Sequence, residues 1–141
     1  MWHSKVLTDM GEGAQAREVG AKDYFWGAIV ANAPVYMVNS YRDMVAAQHP
    51  IVQMLIFGLT ALGGGLLAGF SIARKSRQSY QKAGLTTGLL SYIAYSALLW
   101  ITGFGKILIV FEDASVITGF VAGGALGAKL WEKRHLWVKQ G

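Results

Sequence analysis

Residues 51–73 read IVQMLIFGLTALGGGLLAGFSIA. Two folds compete for this stretch. Gly63, Gly65 and Ala68 have the G-x-G-x-x-A spacing of a dinucleotide-binding turn. That turn needs a strand before it, a helix after it and an acidic residue about twenty positions on. The surroundings refuse it, because the glycines lie in an uncharged run and no Asp or Glu occurs between Asp43 and Glu112. A helix of this length covers a hydrocarbon core of about 30 Å. A membrane span accounts for every residue of the stretch.

Working outward, AGLTTGLLSYIAYSALLWITGFG (83–105) is a second uncharged run of the same kind. A third, 107–128, carries Glu112 and Asp113 near its start, which sets the two acids at headgroup level. The fourth candidate, YFWGAIVANAPVYMVNSY (24–41), has no charge but is diluted by Asn32, Pro34 and Asn39. Its aromatic ends, Tyr24 to Trp26 and Tyr36 with Tyr41, suit the two water boundaries of a span. The competing reading is a helix lying in the interface. None of the runs alternates apolar and polar residues as barrel strands do. The expected fold is an all-α integral membrane protein with four transmembrane helices (about 24–41, 51–73, 83–105 and 107–128). A polar N-terminal arm (1–22) and a basic C-terminal tail (132–141) flank a transmembrane helical domain (23–131).

Composition agrees. Of 141 residues, 53% are hydrophobic and 15% charged, against roughly 25% charged in soluble domains. The absence of cysteine excludes a disulfide scaffold, a zinc-thiolate site and thiol catalysis. Residues 1–23 hold Asp9, Glu12, Glu18 and Asp23 and no apolar core, so no signal peptide is expected there.

The distribution of charge orients the spans. If the link 74–82 is cytoplasmic, Lys5, Arg17, Lys22, the link and the C-terminal tail all fall inside, and only Arg42 and Lys106 fall outside. That is the positive-inside pattern. Both termini are then on the cytoplasmic side, or on the matrix side in an organellar inner membrane, and a prokaryotic plasma membrane fits equally well. Arg74, Lys75, Arg77 and Lys82 on the link, with Lys129, Lys133 and Arg134 on the tail, are candidates for contact with anionic lipid headgroups. Trp131 and Trp137 beside them read as interfacial anchors. Nucleic-acid binding needs a basic face on a soluble module, and none is expected.

Glycines recur at helical spacing. Gly65 with Gly69, Gly84 with Gly88, Gly119 with Gly123, and Gly123 with Gly127 are G-x-x-x-G pairs in three different spans. Residues four apart share a helix face, so each pair makes a flat strip that a second backbone can approach. The strip 119–127 is not a phosphate loop: a Walker pattern ending at Lys129 needs glycine at 128 and Ser or Thr at 130, where Ala128 and Leu130 stand. Short spans with small-x-x-x-small faces at Gly63–Gly69, Gly84–Gly88 and Gly119–Gly127 resemble the Tim17/Tim22/Tim23 type of inner-membrane protein. They resemble several glycine-rich prokaryotic membrane families to the same degree. The resemblance covers the small-residue pattern alone and carries no functional residue.

Ionisable groups near membrane depth are functional candidates. Glu112 and Asp113 fit an outer-side cation or proton site, or else a solvated first turn favoured by the helix dipole, with Lys106 able to neutralise one of them. His49 and Asp43 could join them at an outer metal site. No Ser-His-Asp arrangement is supported locally. Thr86, Thr87, Ser91, Ser96 and Thr118 are expected to bond to backbone carbonyls.

These residues predict no catalytic, cofactor-binding or metal residues. The expected function is a small accessory subunit of a larger membrane complex, respiratory or otherwise energy-converting or oxidising. Its role would be structural or in assembly, its partners other membrane subunits met through glycine-rich faces. The alternative is a homo-oligomeric pore or small transporter whose path is lined by Ser91, Tyr92, Tyr95, Ser96 and Thr102, with Glu112 and Asp113 as further candidates. A membrane enzyme comes third, since the spans hold no His, and no acid deeper than Glu112 and Asp113 at headgroup level.

Overall fold

The computed structural model describes residues 19–76, 79–102 and 110–140. Every element there is helical: α1 (Ala21–Asn39), α2 (Arg42–Ala46), α3 (Pro50–Lys75), α4 (Tyr80–Ile101) and α5 (Val110–Gln140). The polar arm up to residue 18, Arg77 and the link 103–109 with Lys106 lie outside the described residues.

Local chemistry explains where the helices start and stop. At α1 the Asp23 carboxylate accepts a hydrogen bond from the Gly20 N–H at 3.2 Å, satisfying one of the free donors of the first turn. At α3, Pro50 occupies the first turn, where its missing N–H costs nothing, and His49 Nδ1 accepts from the Ile51 N–H at 3.4 Å. Arg74 and Lys75 close α3 where its dipole is negative, and Glu112 and Asp113 open α5 where the dipole is positive.

Three helices are long and apolar enough to cross a membrane: Pro50–Lys75, Tyr80–Ile101 and Glu112–Arg134 within α5. α1 is not among them, because Lys22, Asp23, Asn32 and Asn39 dilute its 19 residues. Two elements differ from expectation. The chain between α1 and α3 is not plain loop: α2 occupies part of it, and the Gln53 side chain donates to the carbonyls of Ala46 and Gln48 to hold it down. α5 continues to Gln140, through the expected tail, because no Gly or Pro interrupts the good helix formers Leu130, Glu132, Lys133 and Arg134.

Consecutive long helices run antiparallel. α5 makes its most extensive contact with α3 and also packs against α4, α1 packs against α3 and α4, and α3 and α4 meet each other less extensively. Phe57, Leu99, Val116 and Phe120 are buried at the centre, with Tyr95 meeting Phe120 edge-on at 6.2 Å between centroids. Polar side chains inside the bundle bond to backbone. The hydroxyls of buried Thr87 and Ser91 donate to the carbonyls four residues earlier, and exposed Thr118 on the outer face of α5 does the same. Asn32 reaches between helices: its Nδ2 donates to Ala28 O on α1 and to Ser91 O on α4, at 2.8 and 3.0 Å. Between helices surrounded by lipid, such a bond replaces the water that soluble proteins would supply.

Candidate functional site

The glycine strips lie where helices of this one chain cross. A methyl group placed on Gly119 would meet Gly58 O at 2.5 Å, and one on Gly123 or Gly127 would collide with the carbonyls of Leu62 or Leu66. All three therefore face α3. From α3, Gly65 looks back at Phe120 O, 2.6 Å from where its Cβ would be, and Gly69 lies against Gly124. From α4, Gly84 abuts Gly124 and Ala128, and Gly88 abuts Phe120 and Val121. α1 joins in the same way, with Gly64 against the Ala31 carbonyl and Gly27 against Ile72.

Gly124 is the residue that the sequence pattern missed. It belongs to no G-x-x-x-G pair, yet it takes the backbones of Gly69 on α3 and Gly84 on α4 at once. The signal that could have found it is the Gly123-Gly124 doublet with Ala128 four residues on, which widens the small-residue face from a line to a band. Gly63, by contrast, has nothing within 4 Å of its Cβ position.

The end of the bundle that holds the C-termini of α1 and α4 and the N-termini of α3 and α5 is polar and acidic. Glu112 and Asp113 are there, but not as a solvated turn. The Glu112 side chain is only 12% exposed and lies 3.6 Å from an Arg42 guanidinium nitrogen. Asp113 Oδ2 accepts a 2.8 Å hydrogen bond from the Tyr92 hydroxyl. The cation meeting the acids is thus Arg42, from the short helix after α1, while the sequence pointed to Lys106, which lies outside the described residues. Asn39 is buried in the same region beside Tyr95, and Asp113 Oδ1 is buried without a hydrogen-bond partner. Beside them a cavity of about 260 Å³ opens between α1, α2 and α4, lined by Tyr36, Asn39, Arg42, Asp43 and Thr102 among others. Its wall is mostly apolar, with polar groups from Asn39, Arg42 and Asp43, and it is large enough for water or a small polar group. Among the described residues no three His, Asp or Glu side chains come together as metal ligands; His49 caps α3 instead.

The opposite end is basic. Arg74, Lys75, Lys82, Lys129, Lys133 and Arg134 are all exposed there, with Lys22. Among the described residues the carboxylates at this end are Asp23, whose Oδ1 lies 2.8 Å from Lys75 Nζ, and the exposed Glu132. Trp131 packs edge-on against Phe70 of α3 at 5.3 Å. From Glu112 to Trp131 the α5 axis rises about 28 Å, close to the thickness of a hydrocarbon core. Trp137, 80% exposed, lies a further turn and a half along the helix.

Of the residues named for a pore, the described geometry commits most to bonds inside the bundle. Ser91 is fully buried and donates to Thr87 O, Tyr95 packs on Phe120, and Thr102 donates to Leu98 O. Comparison with known protein families, curated proteins and solved structures finds no match to this chain.

Proposed function

We propose that the chain is a small accessory subunit of a larger multi-subunit membrane complex, with a structural or assembly role and no chemistry of its own. The observation that carries this reading is a shallow apolar groove on the outside of the α3–α5 pair. It has a volume of about 440 Å³, with Met54, Leu55, Leu59 and Leu62 on one wall. Gly58, Ala114, Ser115 and Thr118 make it shallow enough for another helix to approach closely. The strips at Gly119, Gly123 and Gly127 are covered by α3, so a neighbouring subunit is assigned to this outer small-residue face. An energy-converting or oxidising complex suits the reading as host.

Four spans with both termini on the cytoplasmic or matrix side complete the proposal. Its support is the length of α1, about 28 Å, and its contact with α3 and α4 from the Lys75–Asp23 pair at one end to buried Val35 and Asn39 towards the other. Cysteines introduced at Ser79 and Gln48 are expected to react with impermeant reagents from opposite sides of the membrane. Reaction from one side refutes α3 as a span.

Extraction in mild detergent followed by native mass measurement tests the function. Migration with a larger hetero-complex is expected, and Thr118→Trp should release the chain from it while leaving the bundle folded. A pure homo-oligomer that conducts ions in bilayers would establish the pore reading instead.

A further inference from the structure

We infer that a second outer groove, between α4 and α5, holds an anionic glycerophospholipid, with an acyl chain on its apolar floor and the phosphate against Lys82, Lys129 and Lys133. The inference rests on the membrane reading above and goes beyond general contact between basic residues and headgroups.

The floor consists of Leu85 from α4 and Ile117, Thr118, Val121, Ala122 and Ala125 from α5, enclosing about 370 Å³. It is shallow along α5 because Ala122 and Ala125 are small, while Leu85, 40% exposed, forms its far wall. The groove runs towards the basic end. Lys129 follows Ala125 by four residues and so continues the same face of α5, and Lys82 precedes Leu85 by three on α4. Lys133 is one further turn along, and all three lysines are exposed. Among the described residues of α4 and α5 beside these lysines, the carboxylate is Glu132, also exposed, and the lysines outnumber it.

Dimensions match the ligand. From Ile117 to Lys129 the helix rises about 18 Å, roughly the depth of one leaflet's hydrocarbon layer with part of its headgroup region. An acyl chain entering near mid-membrane therefore brings its phosphate to the lysines. A free phosphate would meet the lysines but leave the floor unused. A zwitterionic lipid would use the floor but bring no net charge to the lysines.

The test uses the full chain purified in mild detergent, with lipid retention followed by native mass measurement. Phosphatidylglycerol is expected to stay bound where phosphatidylcholine is lost. Lys82→Gln with Lys129→Gln removes two charges, each worth roughly a fivefold factor near an anionic headgroup, so phosphatidylglycerol affinity should fall roughly twentyfold or more. Ala125→Trp fills the groove without changing charge and should also abolish retention. Arg74→Gln with Lys75→Gln, on α3 away from the groove, should change affinity by no more than about twofold. Soluble glycerol phosphate in excess should not displace the lipid.

Equal retention of the two lipids overturns the inference. So does an equal loss in the Arg74/Lys75 variant, which would show diffuse attraction to the basic end, or displacement by glycerol phosphate, which would show a phosphate site without a lipid. The lysine substitutions are at exposed positions, so they decide the matter even if Ala125→Trp fails to fold. These outcomes leave the accessory-subunit reading intact, whereas a chain that does not sediment with membranes sinks both.

Discussion

Gly124→Leu is expected to leave almost no folded bundle, whereas Gly63→Leu, on the same kind of apolar helix, should change stability by less than about 0.5 kcal/mol. The difference lies in what each side chain would meet. At Gly124 a new Cβ collides with the Gly84 carbonyl, and the same residue already receives Gly69. Neither neighbour is a flexible side-chain end; both are backbone, held by their own helical hydrogen bonds. Either α5 moves away from both partners or the hydrogen-bond ladder deforms. Gly124→Ala alone should cost about 1–3 kcal/mol, as for overpacking in a tight core, and leucine considerably more. Denaturant titration of the purified chain in detergent, followed by helical circular dichroism and by elution volume, measures both. A stable Gly124→Leu protein would mean that the α3–α4–α5 crossing is looser than described.

The second large effect is expected at Arg42. Arg42→Met should destabilise the bundle by about 3 kcal/mol, because it strands a mostly buried carboxylate without its cation. Adding Glu112→Gln to the same chain should recover most of the loss, since the group left behind is then neutral. The pair Lys75–Asp23 provides the contrast. Its bridge is shorter, 2.8 Å against 3.6 Å, but the Lys75 side chain is 56% exposed and that of Arg42 only 18%. Solvent screening outweighs distance here, so Lys75→Met should cost no more than about 0.5 kcal/mol. Should the two single substitutions cost the same, burial would not be what sets the value of the Arg42 contact.

The long apolar helices were legible in the sequence because length and hydropathy are properties of a segment by itself. The extent of α5 was less so. Its hydropathy fades after Ala128 while its helix propensity does not, and the two signals end at different residues. Gly119, Gly123 and Gly127 can be grouped on one face from spacing, but the helix that covers them depends on how the spans are arranged around one another. Gly124 was missed for that reason: the Gly123-Gly124 doublet with Ala128 marks a widened small-residue face, but that two helices approach it from different directions is not encoded in any periodicity along one chain. The partnership of Arg42 with Glu112 joins residues seventy positions apart, and local spacing drew attention to Lys106 instead. Asn32 had counted only as a dilution of the first segment, although it bonds α1 to α4.

The crossing at Gly124 also has a consequence for biosynthesis. α3 and α4 precede α5 in the chain, so their hairpin is made and inserted before the helix that fills the space between them. During that interval Gly65, Gly69, Gly84 and Gly88 face lipid, which packs poorly against bare backbone. The hairpin is then open to any other helix with a small-residue face, including that of a neighbouring nascent chain. Arrival of α5 closes this window by occupying both strips together. A chain truncated between residues 102 and 119 would therefore leave both strips bare and be prone to mispairing and to membrane proteolysis, whereas in the full bundle α5 covers both.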